Sequence, residues 1–384
     1  MTHLNTLGKS QIPIQLHSGE GPLLWDKSGK MYWDFYGGHA VTLIGNSHPK
    51  LGNAIAEQAK ILSFCTTIAE LPIREKAASE LCSFTEMDVA WFVNSGAEAN
   101  EGALKMARKH TGRETIVAMK KGFHGRTMGA LGATWKYRDA HLPKHGSTRF
   151  VPFGDIEALQ SAMDDTVAAV ILEPIQGVSG IIEPPPNYLK NVAEQCQQHD
   201  ALLICDEVQS GVGRAGVPLL SKSMGVNADL VTLGKGLAGG FPAAAVLMTQ
   251  EIAEGIKPGE HGSTFGGGPM ACAAILSTLE IIKTEGLLAQ SLQLETQIRH
   301  HLDIDGVLEI RGKGAWIGVE LSCPAKPIAS ALLERGVFVG TTGHPNTIRL
   351  APPACMPECG VLVLKKNLQD LLSTYVLKVS GAAK

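Results

Sequence analysis

No stretch of the 384-residue sequence approaches the ~20 consecutive apolar residues that a membrane-spanning helix requires. The longest, such as Phe241–Met248, fall far short. The first twenty residues hold no apolar run that could form a signal-peptide core, so a cytoplasmic protein is expected. Charge of one sign is also missing. Thirty-four Lys and Arg stand against 37 Asp and Glu, a net charge of −3, which argues against nucleic acid or a membrane surface as partner. The eight cysteines, at 65, 82, 196, 205, 272, 323, 355 and 359, form no Cys-x2-Cys pair. Cys355 and Cys359 lie closest, without a second pair to complete a zinc site, so reduced thiols are expected and no metal. Walker A, G-x-S-x-G and H-E-x-x-H motifs are absent, as are internal repeats and low-complexity linkers.

What the sequence does contain is length for two or three domains and a large core. From about residue 90 to 250, short apolar runs alternate with helix-like stretches. Ala90–Val93, Thr115–Met119, Val167–Leu172, Ala201–Cys205 and Leu230–Leu233 read as strands, with helices over Ala97–His110 and Asn187–His199. The runs lack strict polar alternation, the mark of a sheet covered on both faces. An α/β domain with a mainly parallel sheet follows. An edge hairpin is expected around Gly19–Tyr36, and a long helix after Pro269 to about Thr284. Beyond it come strands Val307–Gly312, Ile317–Leu321, Val337–Gly340 and Thr347–Leu350, with helices Ala329–Arg335 and Gly360–Leu377. The expected division is an N-terminal segment 1–45, a large domain 46–275 and a smaller α+β domain 276–384. The N-terminal segment would contribute to the small domain and the substrate pocket.

In parallel α/β sheets functional groups collect at the carboxyl ends of strands. After Val93 comes Asn94-Ser95-Gly96-Ala97, a turn opening a helix that either seats an anion on free backbone amides or is simply a cap. After Met119, Gly122-Phe123-His124-Gly125-Arg126 offers a ring able to stack on a planar group and a guanidinium able to grip a carboxylate; an ordinary turn reads equally well. Asp206 follows five apolar residues, a costly place for a carboxylate without a partner, followed by Glu207-Val208-Gln209. Lys235, between Gly234 and Gly236, is either an amine nucleophile of lowered pKa or a solvated loop lysine. Gly211-Val212-Gly213-Arg214-Ala215-Gly216 matches G-x-G-x-x-G, but polar residues separate it from the preceding strand and Pro218 follows too closely for a helix. It is read as a decoy.

Together these stretches resemble the fold-type I pyridoxal-phosphate enzymes, specifically the class III aminotransferases, over nearly the whole chain. NSGAEANEGALKMAR, GFHGRT, EPIQG, DEVQSGVGR, GKGLAGGFP and HGSTFGG are most similar to the acetylornithine aminotransferases. The resemblance implies a large domain with a mainly parallel seven-stranded sheet flanked by helices, a small α+β domain, and pyridoxal 5′-phosphate (PLP) as cofactor. By the same resemblance Lys235 carries the cofactor and shuttles the proton, and Asp206 pairs with its pyridine nitrogen. Val208 packs on the ring, Gln209 bonds its phenolic oxygen, and Phe123 stacks. Ser95, Gly96 and Ala97 cradle the phosphate, with Thr264 supplied by the other subunit of a homodimer having composite sites. Ser263 lies beside the substrate, Arg126 takes the α-carboxylate of an acylated ornithine, and Arg349 takes the second carboxylate of glutamate or 2-oxoglutarate. The implied reaction moves the distal amine of N-acetylornithine to 2-oxoglutarate, in arginine biosynthesis. N-succinylornithine, ornithine or another ω-amine remains an alternative, with an aminomutase and a non-catalytic binding protein further off. Val178 stands where relatives often place a Glu that pairs with the second arginine, so Arg349 is expected to be unpaired or to find a partner the sequence does not identify. His39, Thr42, Asn46 and Gly268 also depart from the usual pattern.

Overall fold

The computed structural model describes residue 12, residues 14–136 and residues 148–381, with residues 376–381 described by their backbone alone. Residues 1–11 and 13 of the expected N-terminal segment lie outside the described residues. The centre is a seven-stranded sheet in the order Val89–Val93, Ala244–Met248, Leu230–Leu233, Leu202–Asp206, Val167–Leu172, Thr115–Met119, Thr148–Val151. Ala244–Met248 runs antiparallel to both neighbours, and the remaining pairs are parallel. Alternate residues serve two separate cores. Val117, Met119, Val170, Leu172, Leu203 and Cys205 face one, and Ile116, Ala118, Ala169, Ile171 and Ile204 face the other. Both faces are apolar because helices cover both, which explains runs without polar alternation.

The helix Gly96–Thr111 packs Ala99, Ala103, Leu104, Met106 and Ala107 on the second face. Pro269–Thr284 lays Cys272, Ala274, Ile275 and Ile281 against the first. Helices Pro49–Ile61 and Pro72–Thr85 join the same face, each opened by a proline, whose fixed φ and missing N–H suit a first turn.

Two further sheets have four strands each. One is an antiparallel meander of Leu16–Glu20, Leu23–Asp26 and Met31–Asp34, extended in parallel by Val337–Phe338. The other, Val307–Lys313, Trp316–Leu321, Thr347–Leu350 and Gly340–Thr341, is antiparallel throughout. The run 337–340, expected as one strand, therefore divides between two sheets. Gly340 stands just past the crossing, where a Cβ would lie 3.1 Å from the Tyr36 ring. Phe35 is fully buried among Ile317, Val319, Leu332, Ile348, Leu350, Val361 and Leu364, so an N-terminal residue completes the C-terminal core. The helix expected over 329–335 spans Ala325–Glu334, and the last runs Glu358–Gly381. Among the described residues no helix is long and apolar enough to cross a membrane.

Candidate active site

Leu202–Asp206 and Leu230–Leu233 are adjacent parallel strands, so Asp206 and the Gly234-Lys235 turn emerge at the same sheet edge. Asp206 is almost fully buried, yet its carboxylate is well supplied. Its Oδ2 accepts from Asn100 Nδ2 at 2.7 Å and lies 2.8 Å from His124 Nδ1, and its Oδ1 accepts from Val208 N at 3.0 Å. An ionised carboxylate only accepts, so His124 carries its proton on Nδ1. Asn100 is fixed in turn, donating to the His124 carbonyl and accepting from Thr232 Oγ1, both at 2.7 Å. His124 and Asn100 were legible only as spacers inside GFHGRT and AEANEG. Their signal is the buried, otherwise uncompensated Asp206, which demands donors nearby.

Lys235 opens a short 3-10 turn with a left-handed φ of 47°, an unusual backbone for a lysine and one found where surroundings impose it. Burial pulls its ammonium down to about 8; the Arg349 charge acts the same way, and Asp206 and Glu173 oppose. Among the described residues no hydrogen bond or ion pair engages Lys235 Nζ. Glu173, at the end of Val167–Leu172 on the far side of the Asp206 strand, accepts from the amides of Phe123 and Gly177, both at 3.0 Å. Burial pushes its carboxyl up to about 7, with the Asp206 charge adding to the rise.

Ser95 caps the Gly96–Thr111 helix, its Oγ accepting from Glu98 N at 3.2 Å. The cap and the anion seat are compatible, because the amides of Gly96 and Ala97 have no carbonyl within the helix to donate to. A Cβ on Gly96 would lie 2.7 Å from Val208 Cγ1, so the turn closes directly onto Val208. Gln209 is buried with Oε1 unpartnered, beside Gly177, where a Cβ would lie 2.6 Å from Gln209 Nε2. Phe123 is half-buried, and the exposed Arg126 guanidinium sits 5.8 Å from its ring centre.

Arg349 lies on Thr347–Leu350, buried, with Nη2 2.8 Å from His39 Nδ1 and Nε unpartnered. Its partner is thus a neutral ring rather than a carboxylate, a partner the sequence did not identify. Burial pulls the His39 imidazolium down to about 4, with the charges of Arg349, Lys235 and Arg126 adding repulsion. Ser263 lies apart, its Oγ accepting from Asn94 Nδ2 at 3.0 Å and from Gly266 N at 3.2 Å. Thr264 is exposed and, among the described residues, makes no hydrogen bond. The decoy loop is structural: the buried Arg214 donates to the carbonyls of Ala315 and Pro352, and Asp229 accepts from Leu203 N at 2.7 Å.

The class defined by this sheet and this strand-end Lys–Asp arrangement is matched by sequence. The chain belongs to the class-III aminotransferases, whose family pattern matches residues 6–368. It is 41% identical over 367 residues to acetylornithine aminotransferase of Methanothermobacter thermautotrophicus, covering 93% of this chain and 91% of that one. Among solved structures, acetylornithine aminotransferase from Elizabethkingia anophelis superposes with a TM-score of 0.85 at 32% identity, covering 96% of each chain. Ornithine aminotransferase from Toxoplasma gondii, described with partial occupancy of PLP at its active site, gives 0.89 at 29% identity, covering 96% of this chain and 92% of that one.

PLP presents a phosphate, a phenolic oxygen, a pyridine nitrogen and an aldehyde. The residues fit each in kind: free helix-terminal amides, the unpartnered Gln209 Oε1, a carboxylate fixed by donors, and an amine of lowered pKa.

Proposed function

We propose that the protein transfers the distal amino group of N-acetylornithine to 2-oxoglutarate, with PLP as cofactor, as a step of arginine biosynthesis. The observation that carries the reading is the depressed amine of Lys235 beside a donor-fixed Asp206 at adjacent strand ends. The names of relatives about 41% identical over nearly the whole chain supply the substrate. When bound, PLP supplies an electron sink that lowers the cost of removing a proton from the amine-bearing carbon. Asp206 would hold the ring nitrogen, with His124 and Asn100 keeping the carboxylate in place. Ser95, Gly96, Ala97 and Thr264 would hold the phosphate, Phe123 and Val208 the two ring faces, and Gln209 the phenolic oxygen. Lys235 takes the proton from the amine-bearing carbon and returns it. A pKa of about 8 leaves a useful fraction of free amine near neutral pH. Arg126 and Arg349 take the carboxylates, and Ser263 flanks the substrate.

The same reading makes the exposed Thr264 a donor to the neighbouring copy in a homodimer, and places the enzyme in the cytoplasm. Residues 1–45 would contribute to the smaller domain 276–384 beside 46–275, which the burial of Phe35 supports, with the helix Pro269–Thr284 crossing that boundary and packing Ile281 on the large-domain core. The direct test is glutamate formation from N-acetylornithine and 2-oxoglutarate, with borohydride fixing the cofactor to the peptide containing Lys235. No turnover, or labelling at another lysine, overturns it. Ornithine and N-succinylornithine in the same assay decide the acyl group.

A further inference from the structure

Arg349 is a buried cation with no carboxylate among its hydrogen-bond partners in the described residues; the one side chain it engages is His39, 2.8 Å from its Nη2. Arginine only donates, so His39 Nδ1 accepts and its proton sits on Nε2. The imidazole is therefore neutral while it holds the guanidinium, and the cations Arg349, Lys235 and Arg126 around it oppose its protonation. Tyr36 packs edge-on against the imidazole with ring centres 4.7 Å apart and stacks on Phe338, which fixes the ring. The backbone at His39 is left-handed, with φ 65° and ψ 40°, following Gly37 and Gly38 in the same region. This turn swings the side chain toward Arg349 across 310 residues of sequence.

We propose that His39 is a positioning and specificity-determining residue: it orients Arg349 by a neutral acceptor and so leaves the guanidinium without a directly bonded carboxylate, open to the second carboxylate of a dicarboxylic substrate. A carboxylate in the same place would orient the guanidinium equally well but would have to be displaced, or would repel, when a substrate carboxylate arrives. With Nη2 on His39 and Nε unpartnered, the guanidinium keeps N–H groups in reserve for that carboxylate. The inference rests on the aminotransferase reading.

The test uses the holoenzyme and an unreactive pair of ligands, glutarate and pentanoate, which share a five-carbon chain and differ in one carboxylate. Their affinities are measured by calorimetry in wild type, His39→Asn and His39→Asp. Asn and Asp both tolerate a left-handed backbone and both place an oxygen near where Nδ1 stands, so they differ essentially in charge. Asn should keep the glutarate-to-pentanoate preference within about threefold of wild type, while Asp should lower it by about tenfold, a coupling of ~1.4 kcal/mol. In turnover, Asp should raise the KM for 2-oxoglutarate by a similar factor and change kcat less. Equal preferences in Asn and Asp overturn the proposal. Should Asp fail to fold, His39→Gly, which the left-handed turn accommodates, removes the acceptor without adding charge. It should lower glutarate affinity by about threefold, and an unchanged affinity overturns the proposal. Wild-type enzyme that binds glutarate selectively yet transfers no amine contradicts the aminotransferase reading instead.

Discussion

The two walls of the candidate site, at Asp206 and at Arg349, are built on opposite plans. At the sheet edge Asp206 is held by Asn100, His124 and the Val208 amide; Asn100 is itself bonded to the His124 carbonyl and to Thr232, while Nε2 of the His124 ring is buried without a partner. At the Arg349 wall the guanidinium has a single neutral side-chain partner and a buried donor left over. A saturated carboxylate suits a group that stays, because its orientation is fixed before anything binds. An under-satisfied cation suits ligands that come and go, because it gains a partner only when a carboxylate arrives. The plans also differ in origin. The Asp206 wall draws on neighbouring strands and one helix, whereas the Arg349 wall joins residue 39 to residue 349.

The largest effect that would break this contrast lies between the walls. Lys235→Ala removes both the amine and the proton shuttle, and turnover should fall by at least about a thousandfold. Borohydride labelling should vanish with it. A residual rate near wild type would make another group the base.

Next comes the saturated wall itself. Asp206→Ala should cut kcat by a hundredfold or so and weaken PLP retention, followed by its absorbance during dialysis. His124→Leu should act in the same direction but about tenfold less, because Asn100 and Val208 N still hold the carboxylate. Equal loss in both would mean that His124 touches the reaction directly.

How the two walls were reached from sequence differs accordingly. The strand-end residues Asp206 and Lys235 were legible because five apolar residues ending in a carboxylate, and a lysine between glycines, are locally anomalous. His124 was hidden because a histidine beside a glycine turn is not anomalous until its carboxylate partner is known. His39 stood out as a departure from the family pattern, but its pairing with Arg349 was hidden by distance, since no local pattern joins it to residue 349. The same limit applies to the fold. The strands of the central sheet that were read are continuous apolar runs. Ala244–Met248 was noticed only as a run too short to span a membrane, and its antiparallel place depends on neighbours far along the chain. Thr148–Val151 has one fully buried residue and so little apolar signal. Residues 337–340 looked like one strand because hydropathy does not record which sheet a residue joins.

A pH experiment sharpens the contrast at Lys235. With the cofactor stripped, the free amine is the form that recaptures PLP. The folded pKa lies at about 8, below the ordinary 10.5, so the recapture rate should rise as pH climbs toward 8 and level off above it. Between pH 6.5 and 7.5 the rise should be near tenfold. A rate still climbing steeply above pH 9 would show that Lys235 is an ordinary solvated lysine. Raising the salt concentration should alter the midpoint little, since burial rather than a surface charge sets it.

The smallest expected effect tests the open wall from the other side. Val178 ties its carbonyl to Gly343 N at 2.6 Å, just beyond the Gly340–Thr341 strand that pairs with Arg349. By the family resemblance its side chain stands at the position of a carboxylate that pairs with the second arginine. Val178→Glu therefore offers Arg349 the anionic partner that His39 does not provide. Because His39 already holds one edge of the guanidinium, the new carboxylate can compete only for the remaining donors. The KM for 2-oxoglutarate should rise by about threefold to tenfold, with kcat for N-acetylornithine less affected. Any preference for N-succinylornithine over N-acetylornithine should fall by the same factor, since a succinyl carboxylate would use the same charge. Combining Val178→Glu with His39→Asp should give less than the product of the two effects, because one guanidinium charge can be neutralised only once. Full additivity would place the Val178 side chain on some other part of the pocket and leave His39 as the sole residue governing Arg349.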